Sequence, residues 1–223
     1  MDSKALAQYI DHTALTAEKT EQDIITLCNE AIQYGFYSVC INSGYIPLAK
    51  EKLDGTKVKI CTVVGFPLGA NLTSVKAFET KEAIKAGATE IDMVINVGWI
   101  KSGKWDAVKQ DIQSVFESCA GIPLKVILET CLLTKEEVIK ACEICKAIGV
   151  AFVKTSTGFS KGGATVEDVA LMKQIVGDIG VKASGGVRDT ETALAMIKAG
   201  ATRIGASAGI SIIGHSNEVK SDY

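Results

Sequence analysis

Two lysines stand where lysine is unusual. Lys154 lies inside the apolar run AFVKTST, and Lys182 lies inside GVKASGGVR. Lysine is nearly always exposed, so two of them within strand-like runs need a reason. If the runs are consecutive parallel strands joined by a right-handed crossover, they lie side by side. Both ammonium groups then point into one space. Burial and a like charge disfavour protonation, which predicts a lowered pKa for one of the two. A neutral lysine is the nucleophile that forms a Schiff base with a carbonyl. The alternative is that both snorkel to the rim or form structural ion pairs with Asp92 and Glu129.

Asp92 sits mid-strand in EIDMVIN, between Ile91 and Met93. A carboxylate there is costly unless it is paired or functional. Neighbouring lysines would keep it ionised, to relay protons or to neutralise Lys182. Glu129 is a weaker candidate for the same duties. Asp11, Asn42 and Asn96 also fall late in apolar runs. Lys59 and Lys125 instead begin their runs, which places them on the opposite rim as solvated lysines.

Three glycine-bearing segments follow the last apolar runs: Ser156-Thr157-Gly158, Ser184-Gly185-Gly186-Val187-Arg188 and Gly205-Ala206-Ser207-Ala208-Gly209. Glycine lets backbone N–H groups approach a phosphate closely, and a helix start favours its charge. Barrel enzymes commonly build phosphate sites from the loops after the seventh and eighth strands. The competing reading is that these glycines only make tight turns.

Other chemistries have little support. There are two histidines, His12 and His215, and neither has metal-ligand spacing. His12 reads equally as a structural group or a substrate contact. Cys142 and Cys145 form a single CxxC within the helix-like EEVIKACEICKAIG, with no second pair to complete a zinc site. No GxSxG and no Cys–His arrangement appears. No metal ligand set is assigned.

The elements that must position these residues follow a repeated phrase. EAIQYGFYSVCIN, EAIKAGATEIDMVIN, EICKAIGVAFVKTS and AMIKAGATRIGAS each end an amphipathic helix, pass a glycine and begin a β-rich run. The glycines, Gly35, Gly87, Gly149 and Gly200, suit the conformation that closes a helix. Further apolar runs occur at 57–64, 123–130 and 180–184, and YIDHT (9–13) supplies an eighth strand. Helices are predicted near 17–34, 45–53, 73–86, 104–119, 134–147, 164–176 and 189–199, with Thr134, Thr165 and Asp189 as N-caps. Alternation on this scale predicts a (β/α)8 TIM barrel in the α/β class. An open doubly wound sheet is the runner-up, weakened by the lack of GxGxxG after the first strand.

Composition agrees. The 223 residues are 47% hydrophobic and 22% charged, the formal net charge is −2, and Arg188 and Arg203 are the only arginines. That balance argues against a nucleic-acid surface. No stretch of about 18 apolar residues suggests a membrane span, and the start lacks a signal-peptide core. Seven irregularly spaced cysteines are not a disulfide framework. A cytoplasmic, single-domain protein over 1–223 is expected, with a mobile C-terminal tail at about 215–223.

The sequence closely resembles the deoxyribose-phosphate aldolase family. The likeness runs in order through YIDHTAL, VCIN, VVGFP, EIDMVINVG, KVILET, FVKTSTGF, VKASGGVR and RIGAS, nearly the whole chain. The resemblance implies a class I aldolase on a (β/α)8 barrel that uses no metal or organic cofactor. It would reversibly cleave 2-deoxy-D-ribose 5-phosphate to acetaldehyde and D-glyceraldehyde 3-phosphate. It places the Schiff-base lysine at Lys154, a second lysine that lowers the first one's pKa at Lys182, and the acid of a water-assisted proton relay at Asp92. It implies phosphate contacts at Gly158, Gly185, Gly186, Gly205 and Ser207, sugar-hydroxyl contacts at Asp11, Thr13 and Thr157, and Cys40 near the mouth. Some members carry serine where this chain has Ala208 and lysine where it has Phe159, so phosphate affinity is expected to differ from theirs.

Tyr223 ends the polar tail HSNEVKSDY, which can fold over the mouth and assist proton transfer or can simply be a disordered end. Two other functions fit the same barrel: a phosphosugar isomerase or epimerase using an acid as base, and a catalytically silent sugar-phosphate binder. Expected partners are small sugar phosphates and aldehydes, with no nucleic acid or membrane, and a homodimer is compatible with exposed barrel helices.

Overall fold

Caps fix where the helices begin. Thr20 and Thr134 each form a reciprocal capping box, with Asp23 and Glu137 respectively. Thr165 and Asp189 accept from the backbone N–H groups of Asp168 and Thr192. Gly35 and Gly149, both left-handed, close the helices they follow.

The computed structural model describes residues 1–214. The expected tail and Tyr223 lie outside the described residues. The chain runs α1 (Ser3–Ala7), β1 (Ile10–Ala14), α2 (Glu21–Tyr34), β2 (Ser38–Ile41), α3 (Ile46–Lys52), β3 (Lys59–Val64), α4 (Thr73–Ala86) and β4 (Glu90–Val94). It continues through α5 (Val97–Lys101), α6 (Trp105–Ser118), β5 (Leu124–Ile127), α7 (Lys135–Ile148), β6 (Phe152–Lys154), α8 (Val166–Val176), β7 (Gly180–Ser184), α9 (Thr190–Lys198), β8 (Arg203–Ala206) and α10 (Gly209–Ile212). The strands form one closed barrel in sequence order, and every pairing is parallel. The (β/α)8 expectation holds and the open sheet does not. The seven long helices fall where the sequence places them, although α2 starts at Glu21 rather than 17. The short α1, α5 and α10 were not anticipated, because one turn carries no periodic signal.

The barrel has two unlike surfaces. Outward residues such as Ile10, Val39, Ile91, Met93, Val126, Val153 and Ile204 pack against the helices in a continuous apolar shell. The inward face is largely ionic. Side chains alternate along a strand, so Glu90 and Asp92 of β4 share the inner face. Lys125 pairs in register with Asp92, Lys182 with Lys154, and Arg203 with Lys182. Leu15, Cys40, Cys61 and Val63 make a small separate apolar cluster. No helix among the described residues is long and apolar enough to cross a membrane.

Candidate active site

Asp92 is the centre of the inner face. Its Oδ2 accepts from Lys154 Nζ at 2.9 Å and from Lys182 Nζ at 2.8 Å. Its Oδ1 accepts from Lys125 Nζ at 2.8 Å and from the Cys61 thiol at 3.1 Å. Burial alone would raise its pKa, but Lys125, Lys154 and Lys182 hold it well below the usual carboxylate range.

The ion pairs close into a ring. Lys182 bridges Asp92 to Asp11, whose Oδ2 lies 2.5 Å away. Arg203 joins Asp11 at 2.8 Å to Glu90 at 3.1 Å. Lys125 returns from Glu90, at 2.6 Å, to Asp92. Three carboxylates and three cations therefore alternate in a neutral cycle. Lys154 hangs from that cycle as one additional cation.

This arrangement corrects one expectation. Lys125 is not a solvated rim lysine: it is fully buried. β5 begins at Leu124, one residue earlier, so Lys125 alternates inward beside Asp92 and finds two carboxylates there. Lys59 does sit exposed at its strand start. Of the two strand lysines, Lys182 is not the one whose pKa is lowered. Burial disfavours its charge, but Asp11 and Asp92 outweigh it and push the pKa above the ordinary lysine value.

Above the ring opens a cavity of about 550 Å3. Lys154, Thr13 and Thr157 line it, as do Gly158, Gly185, Gly186, Gly205 and Ser207. Lys154 thus belongs to both the cavity and the charge network, whereas Asp92 and Lys182 lie beneath it and are completely buried. Gly158, Gly185 and Gly186 all have positive φ, between 82° and 85°, so the wall needs glycine for its shape. At Gly205 the reason is space: a Cβ would come within 2.9 Å of Lys182 Cε.

Other candidates lie elsewhere. The Asp11 carboxylate is occupied by Lys182, Arg203 and Ser38 inside the barrel and does not line the cavity. Cys40 is also fully buried, in the cluster below. Glu129 does not touch the lysines. It takes a left-handed backbone and accepts from the Thr157 hydroxyl and, at 3.2 Å, from the Thr157 N–H. His12 faces outward, with Nε2 2.6 Å from Glu30 Oε2. Asn42 donates to Leu15 O, and Asn96 caps α5. Arg188 and Lys19, two further cavity-lining cations, were missed. For Arg188 the signal was present, directly after the glycine pair in SGGVR.

Fold and site together are those of an α/β-barrel aldolase. The family model described as "DeoC/LacD family aldolase" matches residues 5–215, and the chain belongs to that family. It is 75% identical over 214 residues to the deoxyribose-phosphate aldolase of Histophilus somni, covering 96% of both chains. It shows the same identity and coverage against the deoxyribose-phosphate aldolase of Mannheimia succiniciproducens. The solved deoxyribose phosphate aldolase of Aeropyrum pernix, described as a tetramer, superposes with a TM-score of 0.90 at 31% identity, over 97% of this chain and 93% of that one.

Proposed function

We propose that this protein is a class I aldolase that reversibly cleaves 2-deoxy-D-ribose 5-phosphate to acetaldehyde and D-glyceraldehyde 3-phosphate. The observation that carries the reading is the position of Lys154, which reaches the cavity while bonded to Asp92 beneath it. The names of the relatives support the substrate.

Lys154 Nζ, deprotonated, attacks C1 of the open-chain sugar, and loss of water gives an imine. The protonated imine draws electrons as the C3 hydroxyl loses its proton and the C2–C3 bond breaks. D-Glyceraldehyde 3-phosphate leaves, the enamine takes a proton at C2, and hydrolysis releases acetaldehyde. Asp92 and Lys182, fixed in the ring, place charge around these intermediates without reorganising, which is where most of the acceleration arises. Asp92 with an ordered water relays the protons. Gly158, Gly185, Gly186, Gly205 and Ser207 take the phosphate, and Arg188 adds a cation at that wall. Thr13 and Thr157 meet the sugar hydroxyls. No step in this scheme calls on a metal or organic cofactor. Seven free thiols fit action in a reducing cytoplasm. Exposed Leu72, just before α4, and exposed Val75 and Phe78 on α4 would serve a homodimer.

Borohydride reduction in the presence of acetaldehyde, followed by peptide mapping, tests the reading. An ethyl adduct on Lys154, absent in Lys154→Leu, is expected. An adduct on Lys182 would reverse the two lysine roles. No adduct, in folded protein that binds the sugar phosphate, would overturn the aldolase in favour of an isomerase or a silent binder.

A further inference from the structure

Two cysteines inside the barrel have no part in this mechanism. Cys40 of β2 and Cys61 of β3 are register partners on the inner face. Both are fully buried. Their sulfurs and an Asp92 carboxylate oxygen all lie within 4.8 Å of one another. Two thiolates on a tetrahedral zinc, each about 2.3 Å from the metal, sit about 3.8 Å apart, so this triangle has the scale of a metal site.

We propose that Cys40, Cys61 and Asp92 form a binding site for a thiophilic d10 dication, and that its occupancy blocks the Lys154 chemistry. Soft thiolate donors select such ions over magnesium or calcium. The route in is short: Leu15 belongs to the same cluster as both cysteines and also lines the cavity.

The surroundings are cationic, which would ordinarily exclude a metal ion. Lys125 Nζ is 3.3 Å from Cys61 Sγ, and Lys154 and Lys182 share Asp92. The balance of protons removes the objection. Each thiol gives its proton to solvent as its sulfur binds, so one dication replaces two protons and the site keeps its net charge. The lysines then donate to metal-bound thiolates.

Binding stands on the geometry alone, whereas inhibition rests on the aldolase reading. Once a metal takes Asp92 Oδ1, Lys125 loses that oxygen, the ring opens, and the carboxylate that orients Lys154 moves.

The test is cadmium titration of the full chain, free of added thiols, followed by sulfur-to-cadmium charge-transfer absorption. One ion per chain, two protons released per ion, and parallel loss of borohydride trapping at Lys154, restored by a chelator, are expected. Cys40→Ser and Cys61→Ser should each weaken binding by about 100-fold or more. Cys142→Ser, in the separate CxxC helix, should leave it unchanged. Binding that survives Cys61→Ser, or that vanishes in Cys142→Ser, overturns the site. If the barrel variants do not fold, X-ray absorption of the cadmium-loaded wild type decides instead. Two sulfur ligands with lighter donors sustain the proposal, and any other sulfur count ends it. Binding with trapping intact removes the inhibitory half. Absence of trapping in metal-free protein would sink the aldolase reading and leave the site to stand or fall on its absorption.

Discussion

Lys154 and Lys182 bond the same oxygen atom, Asp92 Oδ2, but only Lys182 has a second carboxylate, Asp11, at 2.5 Å. Two chemically identical side chains, in register on adjacent strands, are thereby given different duties. Lys182 is locked as a cation on both sides. Lys154 has one anionic partner, which it shares, and a face open to the cavity.

Removing Lys182 tests that division. Lys182→Met should slow trapping of acetaldehyde on Lys154 by about 100-fold or more, the scale of a positioned acid or base. A Lys182→Met protein that traps acetaldehyde on Lys154 at the wild-type rate would assign Lys182 a packing role.

Gly205 is a test of space rather than charge. In Gly205→Ala the new methyl would lie 2.9 Å from Lys182 Cε and 3.0 Å from Ser184 Cβ, so Lys182 must shift. Activity should fall by about 10- to 100-fold, as small misplacements at a reacting centre do. Thermal unfolding should change far less. Near-normal kcat would mean the ring tolerates movement of Lys182.

The ring also sets the pH dependence of stability. Burial opposes ionisation of Asp11, but Lys182, Lys125 and Arg203 hold its pKa well below the ordinary value. A depressed carboxylate contributes stability that is complete above its unfolded pKa, about 4, and is lost as pH falls toward the folded value. Asp11→Asn should therefore cost about 3–5 kcal/mol at pH 7 by urea unfolding, as loss of one partner in a buried ion pair does. The gap between wild type and variant should stay level from pH 7 down to about 5 and narrow below about 4. A gap that does not narrow in acid would show that Asp11 matters through shape alone.

Phe159 bears on substrate charge. It is 48% exposed at the cavity edge, with its ring edge-on to Phe66 at 5.1 Å between centroids. Phe159→Lys would put a cation beside the glycine wall. KM for the sugar phosphate should drop several-fold at low salt, and the gain should fade at 1 M salt, where the screening length is about 3 Å. A KM indifferent to the change would place the phosphate away from this loop.

Much of this is legible in the sequence. The helix-glycine-strand phrase gave the barrel, and Lys154, Lys182 and Asp92 stood out because charge interrupts apolar runs. Lys125, Glu90 and Arg203 did not, although each is as buried or nearly so. Alternation along a strand tells which side a residue faces. How deep it lies depends on the stagger between neighbouring strands, which is a property of the closed barrel as a whole. Lys125 looked like a rim residue because it comes early in β5, yet the stagger sets it level with Asp92. The same ambiguity put Asp11 at the mouth, where the family resemblance put Cys40, when both lie below it.

The Arg203–Asp11 bond joins positions 192 residues apart and closes the charge cycle between the last strand and the first. During synthesis, Asp11 and Asp92 leave the ribosome long before Arg203 and Lys182 exist. Until β8 arrives, Asp11 and Glu90 lack the guanidinium that bridges them, so water has reason to stay beside these two carboxylates. The bond between the last strand and the first is thus what closes this side of the barrel to water.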